Sequence, residues 1–462
     1  MKLRSLSSVA LVVAGFSFVS ACSSGTAADS AGSGGSNGSV ESNLEIFSWW
    51  IAPGEVEALD ALLGVYADQY PDVEVTNAAA VDAKTQRDRL KTRLETGEPP
   101  DSYQALSGVD LLSWVDKSKM VSLQSMSEDN GWDKVFPQVL LDIVSRDGDL
   151  YAVPLNIERD NNLYYNKALF TEYSVQPPET LDDFYAACET FKSGGLETPL
   201  AVPAAGWVLA LVTFETLMPA VAGGDFYRSY FDGMADAEDP KVEELFTALK
   251  KVIECSNVAT ASDAWGAGGD ALYNGDAAMY VMGDWGKAYL ERGQDNDSQA
   301  REPWVADEDF GVVPGLGSKG YFTFNSTVFG LPKGAPHPKA ARAFLEVVGS
   351  KEGQQAFNPI KGSLPARTDV DLSDFDDITQ KAGADFKAAA EGANKLLPGY
   401  ASLTLVNYQN AINPSLLVFA VGGERAKELD VANVPDSEVG IQPLDVDYIV
   451  GKMRVNYPLL QK

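Results

Sequence analysis

Two tryptophans, Trp49 and Trp50, close the run Leu44-Glu45-Ile46-Phe47-Ser48-Trp49, which reads as a strand. Glu55 opens the helical pattern that follows, where a carboxylate suits the positive helix end and the amides there orient it. Gln104 lies near the end of a later predicted strand, Asp284 and Trp285 end another, and Lys361 follows Pro359 in a predicted loop. A pyranose has C–H faces that pack on an aromatic ring and hydroxyls that each donate and accept, so it needs tryptophan beside carboxylates and amides. The carboxyl ends of parallel strands are also where α/β proteins bind ligands. Each residue has a plainer role as well: a tryptophan as core, a glutamate as helix-dipole partner, a lysine as surface charge. The same residue types suit a glycoside hydrolase, in which two carboxyl groups face one bond about 5 to 9.5 Å apart. Glu55 and Asp284 are the pair available for that.

Other chemistry has little to work with. The chain carries one histidine, His337, in a proline-rich turn, so a His-ligated metal or a Ser-His-Asp triad has almost nothing to be built from. No metal, cofactor or catalytic residue is expected, and nothing resembles a phosphate loop. Lys and Arg number 36 against 66 Asp and Glu, a formal charge of −30. Phosphate binding needs clustered cations, which argues against nucleic acid or an anionic membrane surface as partner. Charge of this size also opposes self-association and points to a monomer.

The elements that must position these residues alternate. After the strand ending at Trp49, Leu59, Leu62, Leu63 and Tyr66 recur at helical spacing from Glu55 until Pro71 stops the pattern. Val73 to Val75 predicts a second strand, Thr85 to Thr96 a helix, and Asp101 to Leu106 a return to the sheet. Leu150 to Leu155 and Ala277 to Met282 read as strands, Leu181 to Lys192 and Glu243 to Val252 as helices. Strands alternating with helices predict a parallel α/β sheet. The body from Asn43 to Lys462 exceeds the roughly 250 to 300 residues at which one core stops growing, so two lobes are expected.

The N-terminal segment predicts the compartment. Lys2 and Arg4, the apolar run Val9 to Val19 and the small residues Val19-Ser20-Ala21 before Cys22 read as a signal peptide over residues 1–21 ending in a lipobox. The run is shorter than the roughly 20 residues a bilayer span needs. Residues 22–42 read as a lipidated cysteine and a flexible Ser/Gly-rich tether with a reach of roughly 25 Å. Cys188 and Cys255 are then the leftover pair in an oxidising compartment. A disulfide stapling two helices is the economical expectation, two buried free thiols the alternative.

Three segments taken in order carry a resemblance: Phe47-Ser48-Trp49-Trp50; Asn274-Gly275-Asp276-Ala277-Ala278-Met279 running into Met282-Gly283-Asp284-Trp285; and Phe329-Gly330-Leu331-Pro332-Lys333-Gly334. The likeness continues through Ala340 to Val348, Ser350 to Gly353 and Phe357 to Ser363, so it covers nearly the whole body. The chain resembles the bacterial extracellular solute-binding proteins of the maltose-binding-protein type, and within them the glucose/galactose-binding branch. The resemblance implies an α/β, two-lobed periplasmic-binding-protein fold (type II) with discontinuous lobes. Three hinge crossings would fall near Pro154 to Arg159, Gly320 to Asn325 and Ala366 to Asp371. Lobe 1 would be 43–155 plus 322–367, lobe 2 156–321 plus 368–462.

By the same resemblance, Trp49, Glu55, Gln104, Trp265, Trp285 and Lys361 would contact the ligand first, with Trp50, Asn156, Asp284 and Thr327 as further contacts and Asn325 as an alternative to Thr327. The ligand implied is a monosaccharide such as glucose, galactose or mannose, held by hinge closure, with the transmembrane subunits of an ABC permease as partner. An oligosaccharide-binding importer subunit and a sugar-sensing lipoprotein are the alternatives. The expected location is the extracytoplasmic face of the cell membrane, reached only through lipid on Cys22. Relatives that hold glucose place a histidine where this chain has Leu106, and a late histidine is missing near Val406 to Asn410; either the first lobe makes fewer polar contacts or Arg159 and Asn161 replace them.

Overall fold

The computed structural model describes residues 40–461 apart from 80–82 and 296. The signal segment, Cys22 and the tether as far as Ser39 lie outside the described residues. The last tether residues are docked on the body: Val40 packs against a core, and the Glu41 carboxylate accepts a hydrogen bond from the Ala340 N–H at 2.8 Å, near the start of helix Pro338–Val348.

The expected alternation is realised as strand Asn43–Phe47, helix Glu55–Gln69, strand Glu74–Asn77, helix Ala83–Thr96 and strand Ser102–Leu106. The sheet they build is mixed rather than parallel. Its order is Glu74–Asn77, Asn43–Phe47, Ser102–Leu106, Thr327–Gly330, Ala152–Pro154. The first three run parallel, and Thr327–Gly330 runs antiparallel to both of its neighbours. That strand follows directly on strand Phe322–Asn325, as Asn156–Arg159 follows on Ala152–Pro154, and these two continuous segments run antiparallel to each other in both of the sheets they enter. The strand expected over Leu150 to Leu155 is split at Tyr151 into Asp149–Leu150 and Ala152–Pro154.

A second mixed sheet, in the order Phe310–Pro314, Asn162–Asn166, Met279–Met282, Leu200–Ala201, has its own core. The two cores are separate clusters, one drawn from residues 44–157 and 322–366 together with Ala389 and Leu396, the other from residues 163–316 and 397–460. The described chain is therefore two lobes, as its length predicts. Cys188 in helix Leu181–Ser193 and Cys255 at the end of helix Pro240–Glu254 are bridged, stapling two helices of the second lobe.

Between the cores lies a third sheet, ordered Leu364–Pro365, Asn156–Arg159, Phe322–Asn325, Leu396–Pro398. Its two faces differ because strand side chains alternate. Phe322 and Phe324 meet Phe386 of helix Asp377–Glu391 at ring distances of 5.3 and 6.2 Å, and the Arg159 guanidinium lies 4.8 Å from the Phe322 ring. The opposite face carries Asn156, Glu158, Asp160, Thr323 and Asn325, all buried. The connector between the lobes thus has an apolar back and a polar front.

The lobes approach closely at two glycines. A Cβ on Gly54 would lie 2.7 Å from the Ala288 Cβ, and one on Gly108 would lie 2.2 Å from the Ser402 carbonyl oxygen. Both have φ near +80°, at +84° and +80°, so a side chain is excluded by conformation as well as by space.

Candidate functional site

Lys361 organises the site from the last position of helix Lys351–Lys361, not from a loop as Pro359 suggests. Proline removes one backbone bond from a helix. Here the Asn358 side-chain amide ties that turn down by donating to the carbonyls of Gln354 at 2.9 Å and Leu155 at 3.2 Å. Gly362, at φ 84°, then closes the helix in the left-handed conformation. The Lys361 ammonium, 1 % exposed, stands 2.9 Å from Glu158 Oε1, 4.0 Å from Glu55 Oε1 and 5.2 Å from the Trp285 ring centre. Residues of both lobes and of the polar sheet face thereby meet around one cation.

The first lobe contributes Trp49, Glu55 and Gln104. Gln104 Oε1 accepts from the Trp49 N–H at 3.1 Å, and the Arg87 guanidinium lies 5.8 Å from the half-buried Trp49 ring. Gln104 Nε2 is buried and, among the described residues, has no hydrogen-bond partner; both side-chain polar atoms of Gln86 share that condition. Trp50 differs from the expectation of a ligand contact. It is 2 % exposed and packs on Phe357 and Phe329 at 5.0 and 6.0 Å, within the first lobe's core, whereas Trp49 beside it is half-buried.

From the second lobe, Trp285 opens helix Trp285–Glu291 and Asp284 precedes it. Asp284 Oδ2 accepts from the Arg159 N–H at 2.9 Å, while Oδ1 is buried without a partner among the described residues. Trp265 sits against Tyr289 at 5.1 Å, one turn along the same helix from Trp285. Asn156 and Thr327 work within the network: Asn156 Oδ1 accepts from the Thr327 N–H at 2.9 Å, and Asn156 Nδ2 donates to Glu158 Oε1 at 3.2 Å. Asn325 faces a different group, donating to Asp160 Oδ2 at 2.8 Å. Arg159 and Asn161, the candidate replacements for the missing histidines, both have partners within the chain. Arg159 pairs with Asp385 at 2.7 Å on the apolar back of the connector, and Asn161 donates to Ser318 Oγ at 2.8 Å.

Burial governs the charges. It pushes the Glu55 carboxyl up to about 7, against the pull of Lys361. Asp284 is also raised well above the carboxylate range, by burial and then by Glu158. Burial alone would lower Lys361, but Glu158, Glu55 and Asp284 outweigh it and hold the ammonium charged. The site therefore offers one firm cation, acids that can accept or carry a proton, and two indole rings.

Glu158, Asp160 and Glu215 are not among the residues that the sequence singles out. For the first two the local signal is weak: in Asn156-Ile157-Glu158-Arg159-Asp160 Ile157 alone is apolar, and Arg159 breaks the period of two that marks a strand with one polar face. Glu215 is a lone acid inside the apolar stretch Leu209 to Leu217, and it is 2 % exposed.

The profile of the family described as bacterial extracellular solute-binding protein matches residues 45–355, a span that includes Trp49, Glu55, Gln104, Glu158 and Trp285. The chain belongs to this family. Among other solute-binding proteins, an uncharacterized ABC transporter extracellular-binding protein of Pyrococcus horikoshii is 31% identical, over 78% of this chain and 78% of its own. A "Probable sugar-binding periplasmic protein" of Mesorhizobium japonicum is 31% identical, over 77% of this chain and 84% of its own. The solved structure of the bacterial solute receptor AcbH, described with an exclusive substrate preference for β-D-galactopyranose, matches with a TM-score of 0.72 at 18% identity, over 90% of this chain and 97% of AcbH. At that identity the likeness shows the fold, the two-lobed one of periplasmic solute-binding proteins.

Proposed function

We propose that this solute-binding protein captures a small sugar between its lobes and delivers it to the transmembrane subunits of an ABC importer. The observation that carries this reading is the meeting of the Lys361 ammonium with Glu158, Glu55 and the Trp285 ring at the junction of both lobes. The Trp49 and Trp285 rings offer apolar faces for pyranose C–H groups. Lys361 and the Gln104 amide donate to hydroxyls, and Asp284 Oδ1 accepts from one. The minimum ligand is one pyranose of glucose, galactose or mannose type, and its binding makes and breaks no covalent bond. The names of the relatives support both the sugar and the importer.

Closure supplies selectivity and signal together. A ligand touching both lobes shifts the population toward the closed form. A hydroxyl left unpaired there costs about 1 to 3 kcal/mol, enough to separate epimers. The body acts as a monomer held to the membrane by diacylglycerol on Cys22. Mass spectrometry of the N-terminal peptide from a membrane fraction tests the anchor, since an unmodified Cys22 rejects it.

A panel of pyranoses followed by thermal shift and calorimetry tests the reading. A ligand at about 100 times its Kd should stabilise the chain by about 2.7 kcal/mol. Trp285→Ala should weaken that ligand at least tenfold, about 1.4 kcal/mol. An unchanged Kd in the variant would place the sugar elsewhere.

A further inference from the structure

Gln86, Leu90 and Leu94 follow one another at four-residue spacing on the inward face of helix Ala83–Thr96, and all three are buried. The leucines pack in the first lobe's core. Gln86 lies in the first turn of the helix, and neither of its side-chain polar atoms has a hydrogen-bond partner among the described residues. A primary amide buried in this way destabilises the chain that carries it, and such groups are rare in native proteins. Gln104 Nε2 and Ser107 Oγ, at the end of strand Ser102–Leu106, are buried and unpartnered as well. The helix follows strand Glu74–Asn77, so its first turn lies at the carboxyl ends of the parallel strands, where α/β folds bind ligands.

Arg87, the next residue, brings a permanent charge to the same edge. Its guanidinium lies 5.8 Å from the ring of Trp49, whose N–H donates to Gln104. Its Nε stands 3.5 Å from Asp110 Oδ1 without a hydrogen bond, and Asp110 Oδ2 accepts from the Leu106 N–H at 3.2 Å, one residue before Ser107. The charge also reaches Tyr400 of the second lobe, where it offsets part of the rise that burial and Glu215 impose on the phenol. An arginine beside an indole is by itself an ordinary surface contact. Here it joins the unpartnered amides of Gln86 and Gln104 and the Ser107 hydroxyl, a set in which donors prevail over acceptors. A carboxylate only accepts, and it takes the paired N–H groups along one side of a guanidinium.

We infer that the ligand is a hexuronate, a pyranose of glucose, galactose or mannose type oxidised to a carboxylate at C6, and that Arg87 and Gln86 hold this carboxylate beside Gln104. The inference rests on the proposed function, in which a pyranose meets Trp49 and Trp285. The hydroxyls at the far side of the ring meet Lys361, Glu55 and Asp284, and one next to the carboxylate donates to Gln86 Oε1. The acids of the site do not forbid an anion. Glu158 is paired with Lys361 at 2.9 Å, while burial raises Glu55 to about 7 and Asp284 well above the carboxylate range, so the site carries less negative charge than its acids number. The formal charge of −30 repels anions at a distance, so discrimination comes from these short contacts and is measured where salt screens the long-range repulsion.

Calorimetry on the full chain at moderate salt with glucose, galactose and mannose and with glucuronate, galacturonate and mannuronate decides it. One uronate should bind at least tenfold more tightly than its parent hexose, a difference of about 1.4 kcal/mol. Arg87→Met should bring that ratio close to one, and Arg87→Lys, which keeps the charge without the fork, should restore part of it. Gln86→Met should weaken the uronate while raising the denaturation midpoint of the free chain, because it removes polar atoms that are buried without partners. A midpoint that falls would show the amide satisfied in the free chain and would overturn the inference. So would a panel on which no uronate exceeds its hexose, or a ratio that Arg87→Met leaves unchanged, and in both cases the sugar site stands. If neither hexose nor uronate binds the native chain, the proposed function itself falls, and this inference with it.

Discussion

Replacing Lys361 by methionine is expected to cost the folded chain about 3 to 5 kcal/mol, because it strands buried acids whose counter-charge has gone. The lysine is 1 % exposed, the Glu158 side chain 7 % and the Glu55 side chain 13 %, so water cannot take over the role of the ammonium. Methionine keeps the length and apolar character of the side chain, which limits the change to the charge. Chemical denaturation at neutral pH measures the loss. Adding Glu158→Gln should recover part of it, since the stranded charge is then removed with its partner. The double variant should still fail to bind sugar, because its principal charged donor is missing. A single-variant cost below about 1 kcal/mol would mean that the cluster behaves like an exposed pair, and the picture of a dry junction would be wrong.

Much of this arrangement is legible in the amino-acid sequence. Trp285, Lys361, Glu55 and Gln104 are expected to serve one site, and the fold brings Trp285 and Glu55 around the Lys361 ammonium while Gln104 accepts from the Trp49 N–H. Their legibility comes from position at the ends of strands and the start of a helix, where α/β folds gather ligand-binding groups. Trp50 packs in the core although Trp49 beside it does not: the strand ends at Phe47, and beyond it the direction of each side chain is set by tertiary packing, here on Phe357 and Phe329. Lys361 reads as a loop residue because Pro359 is a strong local breaker, and only the tertiary anchoring of Asn358 lets that helix run to its end.

The polar floor is harder to read, for a reason of scale. Glu158 and Asp160 belong to a four-residue strand and its edge, too short for alternation to stand out, and the strand's partners come from residues 322–325 and 364–365. Such long-range pairing is invisible to local periodicity. The same holds for the mixed direction of both sheets. It follows from how the chain returns through the connector, and no window of sequence contains that.

Raising the pH from about 5 to 8 should weaken the native chain more than its Glu215→Gln variant, by about 3 kcal/mol. Asp160 is fully buried and Glu215 is 2 % exposed, and both face Asn325. The Asn325 amide stands 2.8 Å from Asp160 Oδ2 and 3.5 Å from Glu215 Oε1, and the Tyr400 N–H donates to the latter at 3.0 Å. Glu158 and Asp284 face Asp160 from the site, and Tyr227 and Tyr400 lie close on the second lobe, so among the described residues no cation neutralises the two acids. Burial pushes Glu215 from its ordinary 4.5 up to about 7, and burial followed by Glu215 and Glu158 raises Asp160 well above the ordinary carboxylate range. Two adjacent buried carboxyls titrate as a pair, and at neutral pH the pair retains a proton. A folded-state pKa above the unfolded one gives a stability contribution that is complete below about 4.5 and is lost as the pH climbs through about 7. Glutamine keeps the shape and hydrogen-bonding atoms but cannot ionise, so the variant lacks this part of the decline. Glu55 titrates in the same window in both proteins and cancels in the difference. Parallel stability-versus-pH curves for the two proteins would show that the connector stores no such proton. A divergence would place the protonated pair where Asn325 joins two of the chain segments passing between the lobes, so the chain's capacity to hold its lobes together would weaken in alkaline surroundings.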